Sequence, residues 1–96
     1  MKPSIALQAH RAEIRLVVER HRGRNARVFG SVLRGDDQDG SDLDILIDPT
    51  PETTMFDIGA IRHELLQLLG VHVDVLTPNA LPESFRAQVI EEARPV

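Results

Sequence analysis

The amino-acid sequence predicts a small α/β (α+β) fold, a three-stranded mixed sheet packed with about four helices. Short apolar runs with strand-like alternation, at residues 43–47 and 71–76, are interleaved with stretches whose apolar residues recur at helical spacing. Glycine or proline stands at most of the boundaries between the two periodicities. A length of 96 residues suffices for one domain, spanning 1–96, and not for two.

Residues 4–21 read as an amphipathic helix, with Ile5, Ala9, Ala12 and Leu16 on one stripe, extended by Ile14, Val17 and Val18. Gly23 falls where that helix should stop. Ala26–Phe29 is a short strand, after which Gly30-Ser31 turns the chain into a brief helix through about Arg34, and residues 35–40 form a loop. Leu43–Ile47 is the second strand, ended by Pro49 and Pro51. Thr53 or Thr54 can cap a helix to Leu69, with Ile58, Ile61, Leu65 and Leu68 at helical spacing and Gly70 behind them. Val71–Leu76 alternates cleanly as a third strand. Pro82 suits the first turn of a last helix that carries Phe85 and Val89 and is closed by Pro95.

With 42% hydrophobic and 27% charged residues, the chain has the composition of a folded domain and not of a disordered one. The absence of cysteine excludes a disulfide framework and a thiolate metal site. No run approaches membrane-spanning length, and MKPSIALQAHR lacks the apolar core of a signal peptide, so a cytoplasmic protein is expected. The net charge of −4 conceals an asymmetry. Residues 1–34 hold eight of the eleven Lys and Arg but two of the fifteen Asp and Glu, a local charge of +6, which leaves −10 on the remainder. Arg11, Arg15, Arg20, Arg22, Arg24 and Arg27 could meet RNA or an acidic partner. A solvated helix face explains them more simply, and 3% aromatic residues leave almost no platform for stacking bases. Nucleic acid is the weaker partner reading.

The stretch FGSVLRGDDQDGSDLD, residues 29–44, concentrates five aspartates between two apolar runs. Side chains two apart on a strand share a face, so Asp42 and Asp44 point together while Leu43, Ile45 and Ile47 enter the core. In the third strand Val71, Val73 and Val75 take the core face and leave His72, Asp74 and Leu76 opposite. If the two strands are neighbours, Asp74 joins Asp42 and Asp44. Three such carboxylates repel unless protonated or bridged by cations, and hard oxygen donors suit Mg²⁺ together with substrate phosphates. Gly30-Ser31 at a strand-to-helix turn adds backbone N–H groups, a hydroxyl and a close approach for phosphate.

Gly30-Ser31-x-x-Arg34-Gly35, five residues, Ser41-Asp42-x-Asp44 and the later Asp74 resemble the DNA polymerase β-type nucleotidyltransferase superfamily. The short chain looks like its minimal nucleotidyltransferase (MNT) branch, the antitoxins paired with HEPN toxins. The likeness covers about Ala26 to Leu76. It implies the nucleotidyltransferase fold, with ATP as substrate and two Mg²⁺ ions on Asp42, Asp44 and Asp74. It also implies that Asp74 helps to deprotonate the acceptor and that Gly30 and Ser31 hold the β- and γ-phosphates. The implied reaction moves AMP from ATP to a tyrosine hydroxyl of the HEPN toxin. The chain contains no tyrosine, so tyrosine self-modification is excluded. Two alternatives stand beside this one: an antitoxin that neutralises by binding alone, and a transferase acting on an RNA end.

Other residues allow plainer readings. Arg34 contacts phosphate or pairs with a nearby aspartate, Ser41 touches the triphosphate or caps the loop, and Asp48 is a turn residue before Pro49. Asp37-x-Asp39-Gly40 suggests an EF-hand loop, but its first and twelfth positions would be Gly35 and Leu46, so calcium fails. Arg15 and His21 echo the spacing of HEPN nucleases by coincidence, in a chain too short for that helical fold. His10, His21, His63 and His72 show no metal-ligand spacing.

Overall fold

Alternation on the strands and periodicity on the helices resolve into a four-stranded sheet with helices on its faces. The computed structural model describes residues 1–96. In chain order the elements are α1 (Pro3–Ala9), α2 (Arg11–Arg20), β1 (Gly23–Phe29), α3 (Ser31–Arg34), β2 (Leu43–Pro49), α4 (Met55–Leu69), β3 (Val73–Leu76), α5 (Arg86–Glu92) and β4 (Arg94–Pro95), with a 3-10 turn at Pro78–Ala80. The strand order is β3-β2-β1-β4. β2 runs parallel to β3, with α4 as the crossover, and antiparallel to β1, which is antiparallel to β4.

One face of the sheet carries the main core. Leu43, Ile45 and Ile47 of β2 meet Ile14, Val17 and Val18 of α2 and Ile61 and Leu65 of α4. At about 25 cal/mol per Å² of apolar surface removed from water, this cluster is the main source of stability. The opposite face holds a smaller cluster in which Leu46 is sealed by Leu81 and Ala93, with Phe29, Leu76 and Val89 packed around them. Thr54 caps α4 in a full capping box with Asp57.

Several expected boundaries move. The first helix is two, broken at His10, whose backbone leaves the helical region (φ −134°, ψ 26°) and whose ring meets Glu13 at 2.6 Å. The break resets the helical phase, so Ile5 and Leu16 of the expected stripe face solvent while Ala6, Leu7 and Ile14 are buried. Arg22, not Gly23, takes the left-handed conformation after α2, with φ 66°. Gly23 answers a steric demand instead, since a Cβ there would lie 2.7 Å from Cγ1 of Val18. β1 starts three residues before Ala26, across a register shift between Arg24 and Arg27. β3 begins at Val73, because the chain enters the ladder only where Leu43 and Val73 come into register. The last helix begins at Arg86, since residues 82–85 form turns. The three expected strands become four, because Arg94–Pro95 pairs with β1 and the Val96 N–H donates to the Ala26 carbonyl at 3.0 Å.

Candidate functional site

The site forms where β1 ends and β2 begins, on the sheet face opposite the main core. Residues paired across a ladder share a face, and the register places Phe29 beside Asp44 and Asp44 beside Asp74. Asp42 immediately precedes β2 and is exposed, whereas Asp44 and Asp74 are half-buried. The strand pairing on which the carboxylate grouping depended is therefore present.

Gly30 makes the corner possible. Its backbone (φ 76°, ψ −149°) lies in a region that essentially only glycine occupies. A Cβ there would also collide with Oδ2 of Asp44, so the bare backbone is what lets the turn approach the carboxylate. Ser31 then opens α3, a single turn ended by Gly35.

A cleft of about 520 Å³ lies over this corner, a size typical of small-ligand sites. Gly30, Ser31, Arg34, Ser41, Asp42 and Asp44 line one side. Asp74 is not part of the lining; it stands beside Asp44 in the ladder. Phe85, Gln88, Val89 and Glu92 of the α5 segment form the facing wall. Of these only Phe85 and Val89 were singled out in the sequence, as apolar positions of a helix, although 85, 88, 89 and 92 share one helical face.

Charge in this corner is strained. The Asp44 carboxyl is pushed up to about 6, first by burial and then by the negative charges of Asp74 and Asp42, with Arg34 pulling weakly the other way. Asp42 has His72 at 4.0 Å. No group of three His, Cys, Asp or Glu side chains is drawn together tightly enough to hold an ion unaided. The donor set nevertheless fits a hard divalent cation: crowded carboxylates gain from a positive charge, and Mg²⁺ commonly completes its shell with water and substrate phosphate.

The remaining expectations divide. Arg34 Nε lies 3.4 Å from Asp36, the pairing with a nearby aspartate, and the residue also lines the cleft. The Ser41 hydroxyl accepts the Gln38 N–H at 2.9 Å, which makes it a loop cap on the edge of the cleft. Asp48 is not merely a turn residue: it pairs with the nearly buried Arg27 and accepts from Asn25. Asp37 is buried, and its carboxylate accepts the Ser4 N–H at 2.9 Å, tying the aspartate-rich loop to the first turn of α1. No helix is long and apolar enough to cross a membrane.

Comparison with known proteins identifies the family. The family model described as nucleotidyltransferase domain matches residues 11–96. Protein adenylyltransferase MntA of Thermococcus cleftensis is 34% identical over 86 residues, covering 90% of this chain and 84% of that protein. A solved structure assigned as a minimal nucleotidyltransferase superposes with a TM-score of 0.87 at 36% identity, covering 97% of this chain and 95% of the other. A crystal structure of a toxin–antitoxin with AMP-PNP shares the fold, with a TM-score of 0.70 at 15% identity over 97% of this chain and 71% of the other. A glycine corner set against paired strand carboxylates, in a chain matched almost end to end, leads to one conclusion: the protein belongs to the nucleotidyltransferase domain family, in which it is similar to a minimal nucleotidyltransferase and to protein adenylyltransferases.

Proposed function

We propose that the chain transfers AMP from ATP to a tyrosine hydroxyl of a cognate HEPN toxin and thereby neutralises it. The observation that carries this reading is the alignment of Asp44 with Asp74 beside the Gly30–Ser31 corner, with Asp42 at its mouth. Support for the activity comes from the relatives named as protein adenylyltransferases, and support for the partner from the toxin–antitoxin fold neighbour.

Gly30 and Ser31 receive the β- and γ-phosphates through backbone N–H groups and the hydroxyl, and Arg34 at the rim adds positive charge. Asp42, Asp44 and Asp74 would hold two Mg²⁺ ions, and these would supply positive charge against the triphosphate and the developing leaving group. The acceptor oxygen attacks the α-phosphorus, the bond to the β-phosphate bridging oxygen breaks, and pyrophosphate leaves. The hydroxyl proton passes to the carboxylate set. Asp74, beside Asp44 in the ladder, would complete one metal site and help to deprotonate the acceptor. Positioning and charge neutralisation supply most of the acceleration.

The test combines the chain with the HEPN protein encoded beside it, labelled ATP and Mg²⁺. Label on a toxin tyrosine that disappears with Asp42→Asn/Asp44→Asn supports the reading. Neutralisation that persists in that double variant without label overturns it in favour of occlusion. Label appearing on RNA instead assigns the activity to nucleic acid ends.

A further inference from the structure

The cleft is chemically two-sided. Its polar side, from Gly30 to Asp44, answers the triphosphate and leaves the facing wall without a role. That wall offers what a planar heterocycle needs. Phe85 is 44% exposed at the start of α5, and Phe29 and Leu33 extend the apolar surface across the cleft. Gln88 lies one turn along α5, and its Nε2 donates to Glu92 Oε1 at 3.3 Å. This contact turns the Gln88 amide so that its carbonyl oxygen remains free as an acceptor. Val89 anchors the helix by packing onto the cluster around Leu46, so the wall is held against the same sheet face as the carboxylates.

We propose that α5 is the nucleobase wall of the nucleotide site: Phe85 lies against the ring face of adenine, and Gln88, oriented by Glu92, accepts the 6-amino group. The proposal rests on the nucleotidyltransferase reading and adds to it the selection of the base. A base with a carbonyl oxygen at the 6-position would set acceptor against acceptor at Gln88, which disfavours hypoxanthine.

The test measures equilibrium binding to the whole chain, with Mg²⁺ present, of three probes: a non-hydrolysable ATP analogue, the matching inosine analogue, and inorganic tripolyphosphate. Wild-type protein should hold the adenine analogue about tenfold more tightly than the inosine analogue, the scale of one hydrogen bond and its mismatch. Gln88→Leu should abolish that preference, and Phe85→Ala should weaken both nucleosides by about 5- to 30-fold, the scale of one stacked ring. Neither substitution should alter tripolyphosphate affinity. Both side chains are exposed, so the variants should fold, and an unchanged far-ultraviolet spectrum checks this. An adenine preference that survives Gln88→Leu, or nucleotide binding no tighter than tripolyphosphate, overturns the base wall while leaving the phosphate corner intact. Failure of all three probes to bind removes the nucleotidyltransferase reading itself, and the base wall with it.

Discussion

Replacing Asp44 by asparagine should stabilise the ligand-free protein at neutral pH while removing its activity. The carboxyl titrates at about 6 in the folded chain, against 3.8 for an unperturbed aspartate. Between those values the native state binds more protons than the unfolded state, so this group makes unfolding progressively easier as pH rises through that window. Above it the cost is fully present; below about pH 4 it vanishes. Two pH units correspond to about 3 kcal/mol. Asp44 is only half-buried, and water screening reduces the cost to about 1–1.5 kcal/mol. Asparagine removes the charge, keeps the shape and can donate to Asp74. The variant should therefore melt roughly 4–8 °C higher at pH 7.5 without metal, and the difference should close towards pH 4. Thermal unfolding at a series of pH values measures it. On the proposed assignment of Asp44 to a metal site, adding Mg²⁺ and ATP should reverse the order, because the wild type would gain more binding energy than the variant. Equal melting temperatures at pH 7.5 with parallel pH profiles would refute the crowded-carboxylate account.

Other substitutions probe separate parts of the same construction. Gly30→Ala puts a methyl group against Oδ2 of Asp44 at a positive φ, and should cost about 1–3 kcal/mol of stability and most of the transfer activity, read by denaturation and labelled ATP. Thr54→Ala removes the α4 cap at the far end of β2 and should cost about 1 kcal/mol with activity intact at permissive temperature. Asp37 is held below the usual carboxylate range, first by the Ser4 backbone N–H, so its contribution is present above the unfolded carboxyl pKa and lost as pH falls through the lowered value. Asp37→Asn should accordingly flatten the acid limb of the stability profile, an outcome that urea titrations between pH 3 and 6 can register.

Much of the site was legible because its signals are local. The turn at Gly30–Ser31, the shared face of Asp42 and Asp44, and a helix capped at Thr54 each depend on neighbours within a few residues. The break at His10 was not legible, because no glycine or proline marks it and a chain-wide stripe reads as continuous. β4 escaped notice because two residues carry no periodicity; β1 alone gives them their conformation. Leu46 and Asp48 were hidden for another reason: they lie on the face assigned to polar residues, yet Leu46 is sealed by Leu81 and Ala93 and Asp48 holds Arg27.

By itself, the sequence determined which side of β2 and β3 a residue occupies, because alternation is a property of the backbone and needs no partner. Only the tertiary structure decided that β2 would lie parallel to β3 in the register that seats Asp44 beside Asp74, and that α5 would close the cleft with Gln88 and Glu92. Strand order, register and helix docking arise from hydrogen bonds and burial between segments far apart in the chain, which no short stretch of residues encodes.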